Sequence, residues 1–344
     1  MASLSRTRFR VSPVDVHDDA DCSAAYAVVR SSQDFERPWN DQDGYEPTVA
    51  EWRFNDPSER QEMWAVRHAG TMVGVAQLWL SQLDNVEKMW FQVNVSPAHR
   101  HTGVGTALFD HVEHRAREEG RREILTESLV PVGAVGDHPY ELFAAATELA
   151  LASTDKVRYL QLPVPSETLV ALAADAGARW AGEYRLETHV NGLPDAVVPG
   201  YCRVSNQLGV DAPTGDVDFE AESLDPALYQ DYLELERAQH RTRLTTIAVA
   251  EATGEVVAYT DLVLPSGAPR NVWQWGTLVD RAHRGHRLGL AVKVANLRRL
   301  QQDHPERTVV GTGNDETNSW MVGINEALGF ELVELCREYH RILG

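Results

Sequence analysis

Alternating apolar and polar positions recur along the chain in two similar series. In the first, Met63 to His68 and Thr71 to Leu80 read as a hairpin turning at Ala69-Gly70, and Lys88 to Val95 alternates in part until Ser96-Pro97 removes a ladder donor. Ala107, Leu108, His111, Val112, Arg115 and Ala116 then recur at three- and four-residue steps, the period of a helix packed on one face. Glu123 to Ser128 follows as a strand. The second series repeats the order: a hairpin from Leu244 to Ala250 and Val256 to Leu264, a strand from Val272 to Val279, and a helix carrying Leu288, Ala291, Val292, Ala295, Leu297, Leu300 and Gln301.

Ahead of these series, Thr7 to Val11 reads as a strand, helices occupy parts of Asp18 to Asn55, and Tyr184 to Val190 and Ala227 to Gln239 open the second half as strand and helix. Val157 to Pro163 reads as the last strand of the first half, with Glu167 to Gly177 a connecting helix. One order appearing twice predicts an α/β (α+β) chain of two tandem domains, 1–165 and 166–344.

Each strand-to-helix junction holds the same short signature, Arg100-His101-Thr102-Gly103-Val104-Gly105 and Arg284-Gly285-His286-Arg287-Leu288-Gly289, about half of the 344 residues apart. A helix start leaves backbone N–H groups without partners and carries partial positive charge, so it suits a phosphate or pyrophosphate. Glycines allow close approach, and Arg100 and Arg284 can add a charged contact or stack on a base. Neither loop continues into Gly-Lys-Ser/Thr, which argues against a nucleotide-triphosphate loop.

Arg-x-x-Gly-x-Gly/Ala between strand and helix resembles the acyl-CoA pyrophosphate motif of the GCN5-related N-acetyltransferases (GNATs). Thr312 to Phe330 resembles that family's second conserved region, with Asn318 to cap a helix and Gly329 to end it in the left-handed conformation. The whole chain is similar to the actinobacterial tandem members that share the architecture of mycothiol synthase. The resemblance implies two GNAT-like domains, each a mixed, mainly antiparallel twisted sheet flanked by helices. It implies acetyl transfer from acetyl-CoA to a primary amine of a small molecule by direct attack in a ternary complex, and as the alternative a non-catalytic acyl-CoA-binding or regulatory protein. The implied cofactor positions are Val93, Val95, Arg100, Gly103, Val104, Gly105 and Thr106 in the first half, and Leu278, Val279, Arg284, Gly285, His286, Arg287, Leu288, Gly289 and Asn318 in the second.

The chain departs from the family pattern at His101 and Arg287, which take glycine positions, and in the first half Phe143 to Leu149 lacks the Gly-Phe ending. Many relatives protonate the leaving thiolate with a tyrosine four residues before that ending. Here the position holds Asn325, and Phe143 in the first half. Asn325 is therefore expected to position the acceptor, with Tyr339, Tyr140 or water as proton source. Glu234, Glu236, Asp261 and His240 are candidate bases, and Trp90, Trp273 and Trp275 candidate walls of an acceptor pocket. The second half, which keeps its region from Asn318 to Phe330, is expected to be the catalytic one.

Composition narrows the partners. A net charge of −19 argues against nucleic acid, and Cys22, Cys202 and Cys336 are too dispersed for a disulfide framework. His99, His101, His283 and His286 have no metal-site spacing, and no run approaches a membrane span or a secretory h-region. The expectation is a cytoplasmic monomer or homodimer that binds acyl-CoA and an amine, with no metal, nucleic acid or membrane partner.

Overall fold

The computed structural model describes residues 9–180, 182–213 and 215–344. Two compact units divide the chain. Unit 1 holds the described residues up to Asn40, Thr48–Thr154 and Leu335–Gly344; unit 2 holds Asp41–Pro47 and Asp155–Glu334.

The first elements in chain order are β1 (Val11–Pro13), α1 (Asp19–Gln33), α2 (Tyr45–Arg53), β2 (Glu59–His68), β3 (Thr71–Ser81), β4 (Lys88–Val95), α3 (Val104–Glu118), β5 (Glu123–Pro131), α4 (Pro139–Ala146) and β6 (Ala150–Gln161). The second series comprises α5 (Ser166–Gly177), β7 (Tyr184–Val190), α6 (Val198–Ser205), α7 (Leu208–Asp211), α8 (Pro226–Ala238), β8 (Thr242–Ala250), β9 (Val256–Leu264), β10 (Asn271–Val279), α9 (Leu288–Asp303), β11 (Val309–Asp315), α10 (Ser319–Leu328) and β12 (Glu331–Ile342). Thr7 and Arg8 of the expected first strand lie outside the described residues.

The sheet of unit 1 runs β1-β2-β3-β4-β5 and ends on β12. β1 to β4 pair antiparallel and β4 with β5 parallel. Alternation decides which faces are buried: Phe91, Val93 and Val95 of β4 pack with Val104, Leu108 and Val112 of α3, while Gln92 between them meets Gln33 of α1 at 3.4 Å.

Unit 2 runs β6-β11-β10-β9-β8-β7, with β7 to β10 antiparallel, β10 and β11 parallel, and β11 and β6 antiparallel. Leu244, Leu262, Val272 and Val310 bury one face under Leu290, Val294 and Leu297 of α9, with Leu169 of α5 in the same cluster. Ile247, Val249 and Tyr259 bury the other face under Tyr201 of α6 and Tyr229 and Leu233 of α8. Each such Leu, Ile or Val contributes on the order of 2 kcal/mol, ample to hold helices on both faces.

One strand assignment is corrected. Residues 155–161 do not finish the first unit: they pair with β11, Gln161 opposite Val309 and Asp155 opposite Asp315. Unit 1 is finished instead by the chain's last strand, where Nδ1 of His340 lies 2.7 Å from Oε1 of Glu123 and Leu343 donates its N–H to Arg122. Each unit is thus completed by a strand from the other half of the sequence. Apolar periodicity identifies a strand but carries no information about its neighbour.

Two features shape the sites. β4 pairs with β5 only from Lys88 to Trp90, and β10 with β11 only from Asn271 to Trp273, so each parallel pair parts toward its motif loop. β10 also bulges between Gln274 and Thr277, whereas β4 stays in regular register with β3 throughout.

Candidate functional site

Both motif loops follow one backbone path. The residue after the arginine and the residue two further on take positive φ in each: His101 (59°) and Gly103 (96°) in the first, Gly285 (88°) and Arg287 (56°) in the second. Glycine occupies one left-handed position per loop, and the other is held by a larger residue at a cost of about 1 kcal/mol. His101 and Arg287 therefore replace glycines without changing the loop's course. Gly103 and Arg287 stand at the N-caps of α3 and α9, and no side chain caps either helix. Asp18, Asp225 and Asn318 do cap α1, α8 and α10, while α5, α6 and α7 begin, like the motif helices, without a side-chain cap.

The motif arginines engage partners of their own unit. Arg100 donates from Nε to Val95 O (3.4 Å) and lies 4.2 Å from the centre of the Phe35 ring. Arg284 donates from Nε to Val279 O (3.2 Å) and its other end pairs with Asp211, which Arg281 also contacts. Arg287 pairs with Asp175. These guanidiniums brace the loops.

Gly105 and Gly289 also differ from expectation. A Cβ on Gly105 would meet Phe143 Cε2 at 3.0 Å, and one on Gly289 would meet Ile324 Cδ1 at 3.3 Å. These glycines let α4 and α10 approach closely; their missing side chains do not point into a phosphate cradle. Of the remaining expected cofactor positions, Val104 and Leu288 are buried first residues of their helices and Thr106 is exposed. Val93, Val95, Leu278 and Val279 lie on β4 and β10 beyond the points where those strands leave their parallel partners. His286 stacks edgewise on Tyr184, their rings 5.5 Å apart.

Between α9 and α10 lies a buried polar chain. Lys293, 1% exposed, donates from Nζ to Oδ1 of Asn325 (2.8 Å) and lies 3.4 Å from Met321 Sδ. Asn325 donates from Nδ2 to Asn314 Oδ1 (3.0 Å), which also accepts from Arg158 (3.2 Å). Among the described residues Lys293 forms no ion pair, and burial pushes its amine down to about 7. The amide partners of Asn325 thus come from the protein, so its expected hydrogen bond to an acceptor is not needed to satisfy it.

On the opposite face of unit 2, under α6 and α8, a second polar group surrounds Arg243. Its Nε donates to both carboxylate oxygens of Glu236 (2.9 and 3.1 Å), and one terminal nitrogen donates to Asp261 (3.3 Å). Tyr201 donates to Asp261 (2.8 Å), and Thr245 donates to the other oxygen of that carboxylate. Burial alone would lower the Arg243 pKa, but the carboxylates of Asp261 and Glu236 outweigh it and hold it above its ordinary value. Trp275 lies 4.8 Å from this guanidinium, and Trp273 5.1 Å from that of Arg241, itself paired with Asp43.

The bulge adjoins this group. Gln274 Nε2 donates to the carbonyls of Asp261 (2.7 Å) and Trp275 (3.2 Å), acceptors that the disturbed ladder leaves over. Gly276 is required there, since a Cβ would lie 2.4 Å from the Tyr259 hydroxyl.

The expected bases and acids separate accordingly. Glu236 and Asp261 come together at Arg243, whereas Glu234 is exposed on α8 and His240 is exposed beyond it. Tyr339 is buried in the core of unit 1, where burial raises its hydroxyl pKa, and does not belong to the unit it was expected to serve. Tyr140, also in unit 1, donates to Ser32 O, and Trp90 lies on β4 opposite Trp79. Lys293 and Arg243 escaped the sequence reading. Lys293 stands inside the run Leu290-Ala291-Val292-Lys293-Val294, apolar enough to be buried all round, and Gly276 amid strand residues marks the bulge.

Residues 26–131 match the family model described as Acetyltransferase (GNAT) family. Over its length the chain is similar to the solved structure of a tandem GNAT protein from the clavulanic acid biosynthesis pathway, determined without AcCoA. That likeness has 24% identity and a TM-score of 0.77, covering 98% of this chain and 99% of the other. A GCN5-related N-acetyltransferase from Sphaerobacter thermophilus is similar at 13% identity and a TM-score of 0.63, over 98% and 96% of the two chains. A glucosamine N-acetyltransferase region in a fungal multi-domain GH3 β-N-acetylglucosaminidase is similar at 17% identity and a TM-score of 0.67, over 97% of this chain and 38% of that one. No curated protein matches the chain by sequence. The chain therefore has the fold of these tandem GNAT structures, and residues 26–131 match the family model.

Proposed function

We propose that the protein is an acyl-CoA-dependent N-acyltransferase that transfers acetyl from acetyl-CoA to a primary amine of a small molecule, with unit 2 as the catalytic unit. The observation that carries this reading is the opening between β10 and β11 beyond Trp273 and Gly311, bordered by a bulged strand and leading to the uncapped start of α9. An uncapped helix start offers N–H groups to a pyrophosphate. The unpaired edge of β10 offers ladder groups to the amides of a pantetheine arm, and the bulge frees backbone from the ladder where a thioester oxygen can be held.

The acceptor amine enters from the α6/α8 face, between Trp273 and Trp275, in direct attack on the thioester. Glu236 and Asp261 draw it electrostatically; with their oxygens engaged by Arg243, Tyr201 and Thr245, water rather than either carboxylate takes its proton. Unit 1 fits the second reading, a structural or acyl-CoA-binding domain without turnover, because its β4 has no bulge and Phe143 presses against Gly105. Thiol release from acetyl-CoA across a panel of small amines tests the main reading. Acceptor-dependent release that survives Gly103→Val but is lost in Gly276→Val is expected; acetyl-CoA binding without release for any amine would favour the second reading for the whole chain.

A further inference from the structure

Resting on the acyltransferase reading, we infer that Thr277 is a catalytic residue of unit 2: its hydroxyl donates a hydrogen bond to the carbonyl oxygen of the bound thioester and holds it as negative charge develops there. Its place on β10 brings it to the reacting end of the ligand. Thr277 is the first residue back in register after the bulge, and it lies beyond Trp273, where β10 leaves β11. By alternation it shares the α9 face with Val279, which packs beside Leu288 at the start of α9. An acyl-CoA whose pyrophosphate meets that helix start and whose thioester reaches the bulge therefore runs past Thr277, a partly exposed residue.

The hydrogen bonds settle which way this hydroxyl acts. Gln274 Nε2 lies 2.7 Å from Asp261 O and 3.2 Å from Trp275 O, both acceptors, so that atom is the amide's donor end. It also donates to Thr260 Oγ1 at 2.9 Å. Thr260 is wholly buried, and the other partner of its hydroxyl is Thr277 Oγ1 at 2.7 Å, so Thr260 gives its own proton to Thr277. The remaining contact of Thr277 Oγ1, Gln274 Nε2 at 3.4 Å, is again with a donor. Among the described residues, then, Thr277 meets only donors, and its own O–H is left to turn into the opening. A row of donors feeding one another strengthens the last of them.

In unit 1 the same row is apolar. Thr277 and Val93 each stand seven residues before a motif arginine, and their partners across the ladder are Thr260 and Ala76. Val93 and Ala76 pack in the core under α3. Two hydroxyls in place of two apolar side chains add nothing to packing against a motif helix, and they supply the directed donor that a thioester oxygen requires.

The step balances without moving the Thr277 proton. As the acceptor nitrogen adds to the thioester carbon, the carbonyl π pair moves onto oxygen under the Thr277 O–H; on collapse that pair returns and the C–S bond breaks with its electrons on sulfur.

The test compares wild type, Thr277→Val and Thr277→Ser in the full chain, using acetyl-CoA with a responsive amine for kinetics and S-ethyl-CoA, a thioether with no carbonyl oxygen, for binding. In Thr277→Val, which carries the side chain that unit 1 has at this position, kcat should fall on the order of 100-fold, and in Thr277→Ser it should recover to within about fivefold of wild type. Affinity for S-ethyl-CoA should stay within about twofold in all three proteins. An unchanged kcat in Thr277→Val would overturn the inference and leave the acyltransferase reading intact. So would a loss of S-ethyl-CoA affinity as large as the loss of kcat, or a serine variant as slow as the valine one, since either would make Thr277 a packing residue. A wild type that releases no thiol with any amine would overturn both readings, so the two failures are told apart.

Discussion

Phe109 in unit 1 and Lys293 in unit 2 stand four residues beyond the last motif glycine, Gly105 and Gly289, on equivalent helices. Phe109 packs edgewise on Phe143 of α4 with ring centres 6.2 Å apart, and Lys293 meets Asn325 of α10 through a hydrogen bond. One fold has filled the same position with rings in one copy and with an amine and amides in the other. Apolar packing there stabilises at no electrostatic cost, while a buried amine without a counter-ion costs several kcal/mol. A unit that carries this cost, together with a bulged strand, departs from stable packing where chemistry is expected.

The largest test of this contrast concerns the interior charges. Arg243→Met leaves Glu236 and Asp261 buried without their cation and is expected to destabilise by about 3–5 kcal/mol. Arg115 of unit 1 also serves acidic partners, Glu62, Glu118 and Glu119, but nearer to solvent, and Arg115→Met is expected to cost about 1 kcal/mol. Urea midpoints and slopes would measure both, and equal losses would remove the distinction between the two interiors.

A smaller effect has a defined sign with pH. The Lys293 amine titrates near 7 in the folded protein and at ~10.4 when unfolded, so between these values the unfolded chain binds more protons. The cost of burying Lys293 is full below pH 7 and fades as pH rises to ~10.4. Lys293→Met should therefore be more stable than wild type by about 2 kcal/mol at pH 6, net of the lost bond to Asn325, with the gap closing toward pH 10. Phe109→Met should show no such pH dependence. A constant difference between Lys293→Met and wild type across this range would mean that Lys293 is neutral throughout or reaches water.

The sequence disclosed what depends on local pattern. Asn318 accepts from the Met321 N–H and Gly329 ends α10 at φ 92°, as their residue types implied, and both hairpins and both motif helices lie where periodicity placed them. It did not disclose what depends on partners distant in sequence. The pairing of β6 with β11 and the place of Tyr339 in the core of unit 1 follow from strand neighbours. Glu236 and Asp261 were visible as acids, but Arg243, which decides their role, lay in a strand alternation that named no partner. Gly105 and Gly289 were legible as necessary glycines, and the direction in which each lacks a side chain was not.

That direction yields the smallest and most discriminating prediction. At both sites alanine gains about 0.5–1 kcal/mol from reduced freedom of the unfolded chain, and the added methyl must then be accommodated. At Gly289 it meets the end of a flexible isoleucine at 3.3 Å and Val279 Cγ2 at 3.6 Å, so small shifts suffice and stability should stay within about 0.5 kcal/mol of wild type. At Gly105 it meets a ring edge at 3.0 Å, and Phe143 is itself stacked against Phe109, so the ring must displace its neighbour and Gly105→Ala should cost about 1 kcal/mol. Because both methyl groups point at α4 or α10, acetyl-CoA affinity in calorimetry should change less than threefold in either variant. A tenfold loss of affinity in Gly289→Ala at unchanged stability would return this glycine to the ligand's side of the loop, and with it the pyrophosphate cradle that the sequence motif implied.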